Sequence, residues 1–467
     1  MIATSPMSAT ASTNSDSDTV RKRRGLVAKY YNYDAFANSS PFTISKELFS
    51  KIIFNHATAD HEKVIKTVAD LNTFIGFIGV ELEYIKSGTT GHVFKATNKS
   101  SNLTFAVKIS AYPTDDKYGT IKNEKRPENV ELLVANILSD MVMNTSSPHL
   151  VIPIYKFYTD IAITIPHVNQ VLQSDMGMHN KHHEKLYEFM DWYNQGVFAD
   201  KVSVLFTEWS NSKDMLDYIR SHYKQMTVDH WRLIFFQLLI TLVKIHRKYP
   251  MFRHNDLKPN NILIDVFPIK PKRGFVYKTD CLNHKFIVPD MGISIKIWDF
   301  DFASIGNQVT NNKVSSNWAQ KLGITANPNK YYDIHYFFTY LINGNCFDIL
   351  GKDDVPSTVK TFIKEVIPLK YRILSPYKTD LINSYCRIAN KLSAMIENKE
   401  PVADALFIEY NETKQEYETT ITNVDIDRYN IISPSGRLIS HDEYTSPEDI
   451  LNNSSFFDCW KDLKTPT

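Results

Sequence analysis

"MFRHNDLKPNNILID", residues 251–265, runs out into an apolar stretch that reads as a buried strand, and it opens with polar side chains at fixed offsets from His254. Asp256, Lys258 and Asn261 lie two, four and seven positions beyond that histidine. Moving a phosphoryl group onto a hydroxyl calls for a carboxylate to receive or orient the proton, a cation near the migrating group and an oxygen ligand for a metal. The loop supplies one of each. A metal there needs a firmer anionic ligand as well, and "IKIWDFDFAS" (295–304) offers Asp299 directly after a strand-like run, with Asp301 close by.

Upstream, "KSGTTGHV" (86–93) stands between two strand-like segments, with Gly88 and Gly91 set among small hydroxyl residues. Glycines let a backbone approach a polyphosphate closely and aim N–H groups at it. A hairpin turn that binds nothing looks the same. Beyond it, "FAVKIS" (105–110) carries Lys108 in an apolar strand, either as an edge charge or as an ammonium aimed into a cleft. Glu131 is the natural counter-charge, because Val134 and Leu138 follow it at helical spacing and anchor that face inward. Glu124 and Glu128 are its rivals.

Composition sets outer bounds. The chain has 467 residues, 43% hydrophobic and 22% charged, which fits a globular protein with a sizeable core. With 53 basic and 52 acidic residues the net charge is +1, so no global field points to nucleic acid or to a membrane surface. Cys281, Cys346, Cys386 and Cys459 show no CxxC spacing, which speaks for a reducing compartment and against a disulfide framework or a zinc site. No signal peptide is visible, and "LIFFQLLITLV" (233–243) is too short to span a bilayer, so an intracellular, non-secreted protein without a transmembrane segment is expected.

Along the chain, residues 1–25 read as a disordered Ser/Thr-rich tail and 26–80 as a helix-compatible N-terminal extension. From Glu81 the pattern becomes that of antiparallel strands, with a helix over 129–142 and a polar insertion at about 160–200. The His-rich stretch 178–189 within it reads as a solvated loop or helix start rather than a metal site. Helices dominate afterwards, notably over 229–248 and 331–343. The fold class expected is α+β, a small β-rich lobe (81–208) followed by a larger helical one (209–395), with a C-terminal extension over 396–467.

These motifs, in this order, resemble the eukaryotic-type protein kinase superfamily, whose bilobal fold the chain should then share. The resemblance implies that Ile85, Lys86, Ser87, Gly88, Thr89, Thr90, Gly91, His92 and Val93 form the loop over ATP, with Lys86 in place of the first glycine. It makes Lys108 the phosphate-binding lysine and Glu131 its partner. Thr207 becomes the gatekeeper, Glu208, Trp209 and Ser210 the adenine-contacting hinge, Asp214 a ribose ligand and Leu263 the floor under adenine. Asp256 and Lys258 fall on catalytic positions, Asn261 and Asp299 on ligands of Mg²⁺, for which Mn²⁺ can stand in, and Asp333 on the aspartate that braces the catalytic loop.

The departures narrow the likeness. "HND" replaces His-Arg-Asp, "DFD" replaces Asp-Phe-Gly, no Ala-Pro-Glu follows, and the spacer from Asp256 to Asp299 is longer than usual. This combination resembles the poxvirus virion-associated serine/threonine kinases and their relatives in other large DNA viruses. It implies an ATP-dependent serine/threonine protein kinase of host cytoplasm and virion, acting in virion assembly on protein substrates such as viral structural or membrane-assembly proteins. Asn255 removes the guanidinium that usually pairs with an activation-loop phosphate, so a switch through phosphorylation of Thr310, Ser315, Ser316 or Thr325 is not expected. Asp301 reads as a solvated neighbour of the metal. A small-molecule phosphotransferase and a pseudokinase scaffold are the alternative readings; Lys258 speaks against the first, and the presence of Lys108, Asp256, Asn261 and Asp299 against the second.

Overall fold

The computed structural model describes residue 75 and residues 79–88, 91–98, 103–143, 146–174, 184–269, 274–367, 405–411, 416–422, 437–438 and 445–462. The N-terminal tail, most of the following extension, Thr89, Thr90, residues 178–183 and Cys386 lie outside them.

Strands β1 (Val80–Ser87), β2 (Gly91–Asn98), β3 (Leu103–Pro113), β4 (Pro153–Asp160) and β5 (Phe198–Glu208) form one antiparallel sheet in the order β1-β2-β3-β5-β4. Two-residue alternation decides what each face carries. Val107 and Ile109 turn into a buried cluster with Phe94, Ala96, Val204 and Phe206, while Lys108 faces the other way, opposite Val93 on β2 and Leu205 on β5. Helix α1 (Pro127–Met143) lies against the sheet's edge region, and Val134 and Leu138 are fully buried, as their spacing requires. The insertion folds into α2 (Ile161–Ser174) and α3 (Glu184–Asn194). The His-rich stretch 178–189, expected to be a solvated loop or helix start, does start a helix at Glu184, but that helix is one-sided: Leu186 and Phe189 are buried, and Phe189 meets the ring of His92 edge-on at 4.3 Å.

Beyond the sheet come α4 (Met215–His222) and α5 (Val228–Lys248). The latter is the central post: from Trp231 to His246 almost every side chain is buried, which is why its sequence is apolar all round. Short antiparallel pairs then frame the polar loop, β6 (Phe252–Arg253) with β11 (Ser304–Ile305), and β7 (Ile262–Val266) with β10 (Ile293–Ile297). The long spacer holds a hairpin, β8 (Gly274–Tyr277) and β9 (Phe286–Pro289), whose Tyr277 and Phe286 pack on Phe236 of α5. Helices α6 (Tyr332–Ile342) and α7 (Ser357–Val366) complete the body, and β12 (Ala405–Asn411) pairs with β13 (Glu416–Thr422) as a separate ribbon.

The 445–462 segment belongs to the same core. Helix α8 (Pro447–Asn453) is started by Ser446, whose hydroxyl accepts from Asp449 N–H, and leads into a 3-10 turn, Ser455–Trp460. Phe457 and Trp460 reach the ring of Phe236, and Phe456 stacks on Phe362 at 4.3 Å. Among the described residues no helix is long and apolar enough to cross a membrane.

Candidate active site

On the sheet side, the Lys108 ammonium lies 2.7 Å from Glu131 Oε1 and 2.7 Å from Asp299 Oδ1. Of the three candidate glutamates, α1 therefore turns Glu131 inward, while Glu128 goes to Arg126 at 3.2 Å. Burial alone would lower the Lys108 pKa, but the Asp299 and Glu131 carboxylates outweigh it and hold the ammonium firmly charged. Glu131 is pushed up to about 7, first by burial, with Lys108 pulling the other way. For Asp299 burial is overcome by Lys108, and its carboxyl is held well below the usual range. Gly91 leaves room for this packing: a Cβ there would stand 3.1 Å from Ser110 Oγ and 3.4 Å from Lys108 Cε.

The hairpin at 86–93 is closed by Gly88 N–H donating to Gly91 O at 2.8 Å. Ile85 sits at an irregularity in the β1–β2 register and is exposed, Ser87 Oγ meets His92 Nδ1 at 2.8 Å, and His92 is buried with its pKa lowered by burial to about 4. Lys86 reaches across to Asp214 Oδ2 at 3.0 Å, so the residue that replaces a glycine latches the hairpin to the start of α4. Asp214 also caps that helix through Asp217 N–H. Its assignment as a ribose ligand thus meets a carboxylate already engaged twice.

In the polar loop, Asp256 is nearly buried. Its Oδ2 accepts from Lys258 Nζ at 3.0 Å and from Asn261 Nδ2 at 2.9 Å. Burial would lower the Lys258 pKa, yet Asp256 raises it, so the ammonium stays charged. The loop is held from below by Asp333 of α6, which takes His254 N–H at 2.8 Å and Asn255 N–H at 2.9 Å. Asn255 has φ 64° and Asp299 φ 67°, a left-handed conformation that, outside glycine, Asn and Asp adopt most readily. Asn255 uses its amide to bind Phe302 O and Thr325 O, both at 3.1 Å, so it ties the segment after Asp299 directly where an arginine would have waited for a phosphate. Asp301 is turned to Lys313 at 2.5 Å.

Three features escaped sequence reasoning. Glu208 points its carboxylate at Ile152 N–H and Lys296, both at 2.9 Å, and Lys296 also pairs with Asp265 at 2.6 Å, which fixes the strand leading into Trp209 and the buried Ser210. Trp298 lies beneath Lys86 and Lys108, its ring centroid 5.4 and 5.8 Å from their ammonium nitrogens. Arg437, distant in sequence, donates to Asp256 Oδ1. Only the tryptophan, next to Asp299, carried a signal that could have been read.

Donor chemistry suits a magnesium nucleotide. The Asn261 nitrogen is spent on Asp256, which leaves its amide oxygen, and Asp299 spends one oxygen on Lys108; two hard oxygens with phosphate and water completing the shell is a Mg²⁺ pattern. The described residues hold no cluster of three His, Cys, Asp or Glu that would favour another metal. Space is the constraint. Val93, Ala106, Leu205, Thr207, Trp298 and Phe300 line a cavity beside Lys108 of about 30 Å³, room for about one water molecule.

A strand lysine paired with a helix glutamate, a braced loop aspartate and an aspartate just after β10 form the constellation of the serine/threonine protein kinase class. Two comparisons with known proteins agree. The family described as poxvirus serine/threonine protein kinase matches residues 149–368. A protein of Acanthamoeba polyphaga mimivirus named as a serine/threonine-protein kinase is 42% identical over 362 residues, 76% of this chain and 75% of its own. The chain belongs to this viral serine/threonine kinase family.

Proposed function

We propose that the protein is an ATP-dependent serine/threonine kinase with the bilobal fold of its class, that it transfers the γ-phosphate of Mg·ATP to protein hydroxyls, and that it serves virion assembly of a large DNA virus. The observation that carries the chemistry is the double engagement of Lys108 by Glu131 and Asp299 above a loop that fixes Asp256 with Lys258 and Asn261. The viral setting rests on the poxvirus family and the mimivirus relative alone. Host cytoplasm and virion are the compartments this reading names.

Bound Mg²⁺ supplies charge neutralisation and in-line orientation of the phosphates. The chain's own residues do the rest. Lys108, kept charged by its carboxylates, binds the α- and β-phosphates; Asn261 and Asp299 hold the metal; Asp256 orients the acceptor hydroxyl and takes its proton; Lys258 steadies the γ-phosphate. Catalysis of this kind is positioning plus electrostatic stabilisation, and the braces from Asp333 and Asn255 are what keep the positions. The test is a γ-phosphate transfer assay on protein substrates and small alcohols, followed by phosphoamino-acid analysis. Phosphoserine and phosphothreonine are expected, and Asp256→Asn should lower the rate by about 10²–10⁴-fold while nucleotide affinity persists. A phosphorylated small alcohol as sole product, or an undiminished Asp256→Asn rate, would refute the proposal.

A further inference from the structure

Asp256 has two carboxylate oxygens, and the loop's own groups use only one. Lys258 and Asn261 both converge on Oδ2. The other, Oδ1, is the oxygen left to face an acceptor hydroxyl, and the guanidinium of Arg437 takes it. This arginine is buried and carefully housed: it also donates to Asn255 O and to Tyr332 Oη at 3.3 Å, and its guanidinium carbon lies 3.8 Å from the centre of the Tyr336 ring. Leu438, next to it, is buried in the main core.

Resting on the kinase reading above, we infer that Arg437 of the chain itself is an intrasteric inhibitor whose guanidinium occupies the acceptor-hydroxyl position at Asp256, so that protein substrate must displace it. A hydrogen-bonded guanidinium on Oδ1 excludes an acceptor hydroxyl from the same lone pairs. Tyr332 and Tyr336 supply the aromatic and hydroxyl contacts that make the closed arrangement specific for a guanidinium. The rival account, a permanent brace that positions Asp256, predicts the opposite sign when Arg437 is removed.

The experiment compares full-length wild type with Arg437→Gln and Arg437→Lys, using dephosphorylated casein and a Ser/Thr peptide library as substrates. If about one molecule in ten is open at rest, Arg437→Gln lowers the apparent KM for protein by about tenfold, with the KM for ATP unchanged. A synthetic peptide of residues 430–444 then inhibits Arg437→Gln competitively against protein substrate, and the same peptide carrying the Arg437→Gln change does not. A folded Arg437→Gln protein with a lower kcat overturns the inference in favour of the brace, while the kinase reading stands. Should that variant fail to fold, amide exchange on wild type decides: substrate peptide plus an unhydrolysable ATP analogue must speed exchange at residues 437–438, and unchanged protection refutes displacement. If wild type and variants alike transfer no phosphate to any protein, the kinase reading falls and this inference with it.

Discussion

Asp333→Asn isolates the support of the catalytic loop from its chemistry. Asp333 is fully buried and accepts two backbone N–H groups, from His254 at 2.8 Å and from Asn255 at 2.9 Å. Each charge-assisted bond contributes roughly 1.5–3 kcal/mol. Asparagine keeps one acceptor oxygen but sets an amide N–H₂ against the second donor, leaving that donor unmatched, so the loss should be about 3 kcal/mol. For a cooperative body of about 300–350 residues that corresponds to roughly 4–5 °C in Tm. Asn255, held at φ 64°, loses the contact that keeps it there, and Asp256 is the next residue. A displacement near 1 Å costs about 100-fold in rate, so kcat should fall by that order while the KM for ATP, set on the Lys108 side, stays within about twofold. Thermal melts and steady-state phosphoryl transfer on the same preparation read both quantities. A variant with unchanged Tm and kcat would refute the argument that Asp333 carries the loop.

Other perturbations separate the remaining forces. Lys108→Met should abolish transfer and leave Glu131 and Asp299 facing each other without a cation. Because Glu131 already sits at about 7 and its folded pKa is raised, it favours folding below its unfolded value and loses that contribution as pH rises; the variant's Tm deficit against wild type should therefore be larger at pH 8 than at pH 5. His92 and His246 are buried with pKa values lowered to about 4, so both contribute stability above about pH 6.5 that disappears as pH falls through 4, about 3 kcal/mol each. His92→Gln and His246→Phe should each flatten the acid limb of a plot of Tm against pH. Phe457→Ala opens a cavity beside Phe236 and Phe362 and should cost about 3–5 kcal/mol in urea denaturation, with kcat unchanged in the folded fraction.

What could be read from the sequence was whatever rests on short-range periodicity. Lys108 on a strand, Glu131 chosen over Glu124 and Glu128 by the inward Val134 and Leu138, and the all-round burial of α5 all follow from spacing, and the structure brings Lys108, Glu131 and Asp299 together. Long-range pairings were not legible, because nothing near Arg437 marks it as a partner of Asp256, and nothing near Lys86 marks it as a partner of Asp214. Glu208 shows a different limit: the resemblance put it in the hinge, but its side chain answers to Lys296 and Ile152, which only the folded sheet brings near. In α3 Leu186 and Phe189 stand at helical spacing, but the sheet cluster that buries them is brought near only by the fold.

The seating of Phe456, Phe457 and Trp460 on α5 and α7 bears on how the protein is made. Arg232 of α5 bonds the carbonyl of Phe456 across 224 positions of sequence, so during synthesis the central helix exists long before the residues that cover that side of it. Until they emerge from the ribosome, the Phe236 and Phe362 rings stand uncovered, a sticky surface on a nascent chain. That side of the core is therefore completed only once Phe456, Phe457 and Trp460 have been made, by which point the stretch containing Arg437 has been made as well.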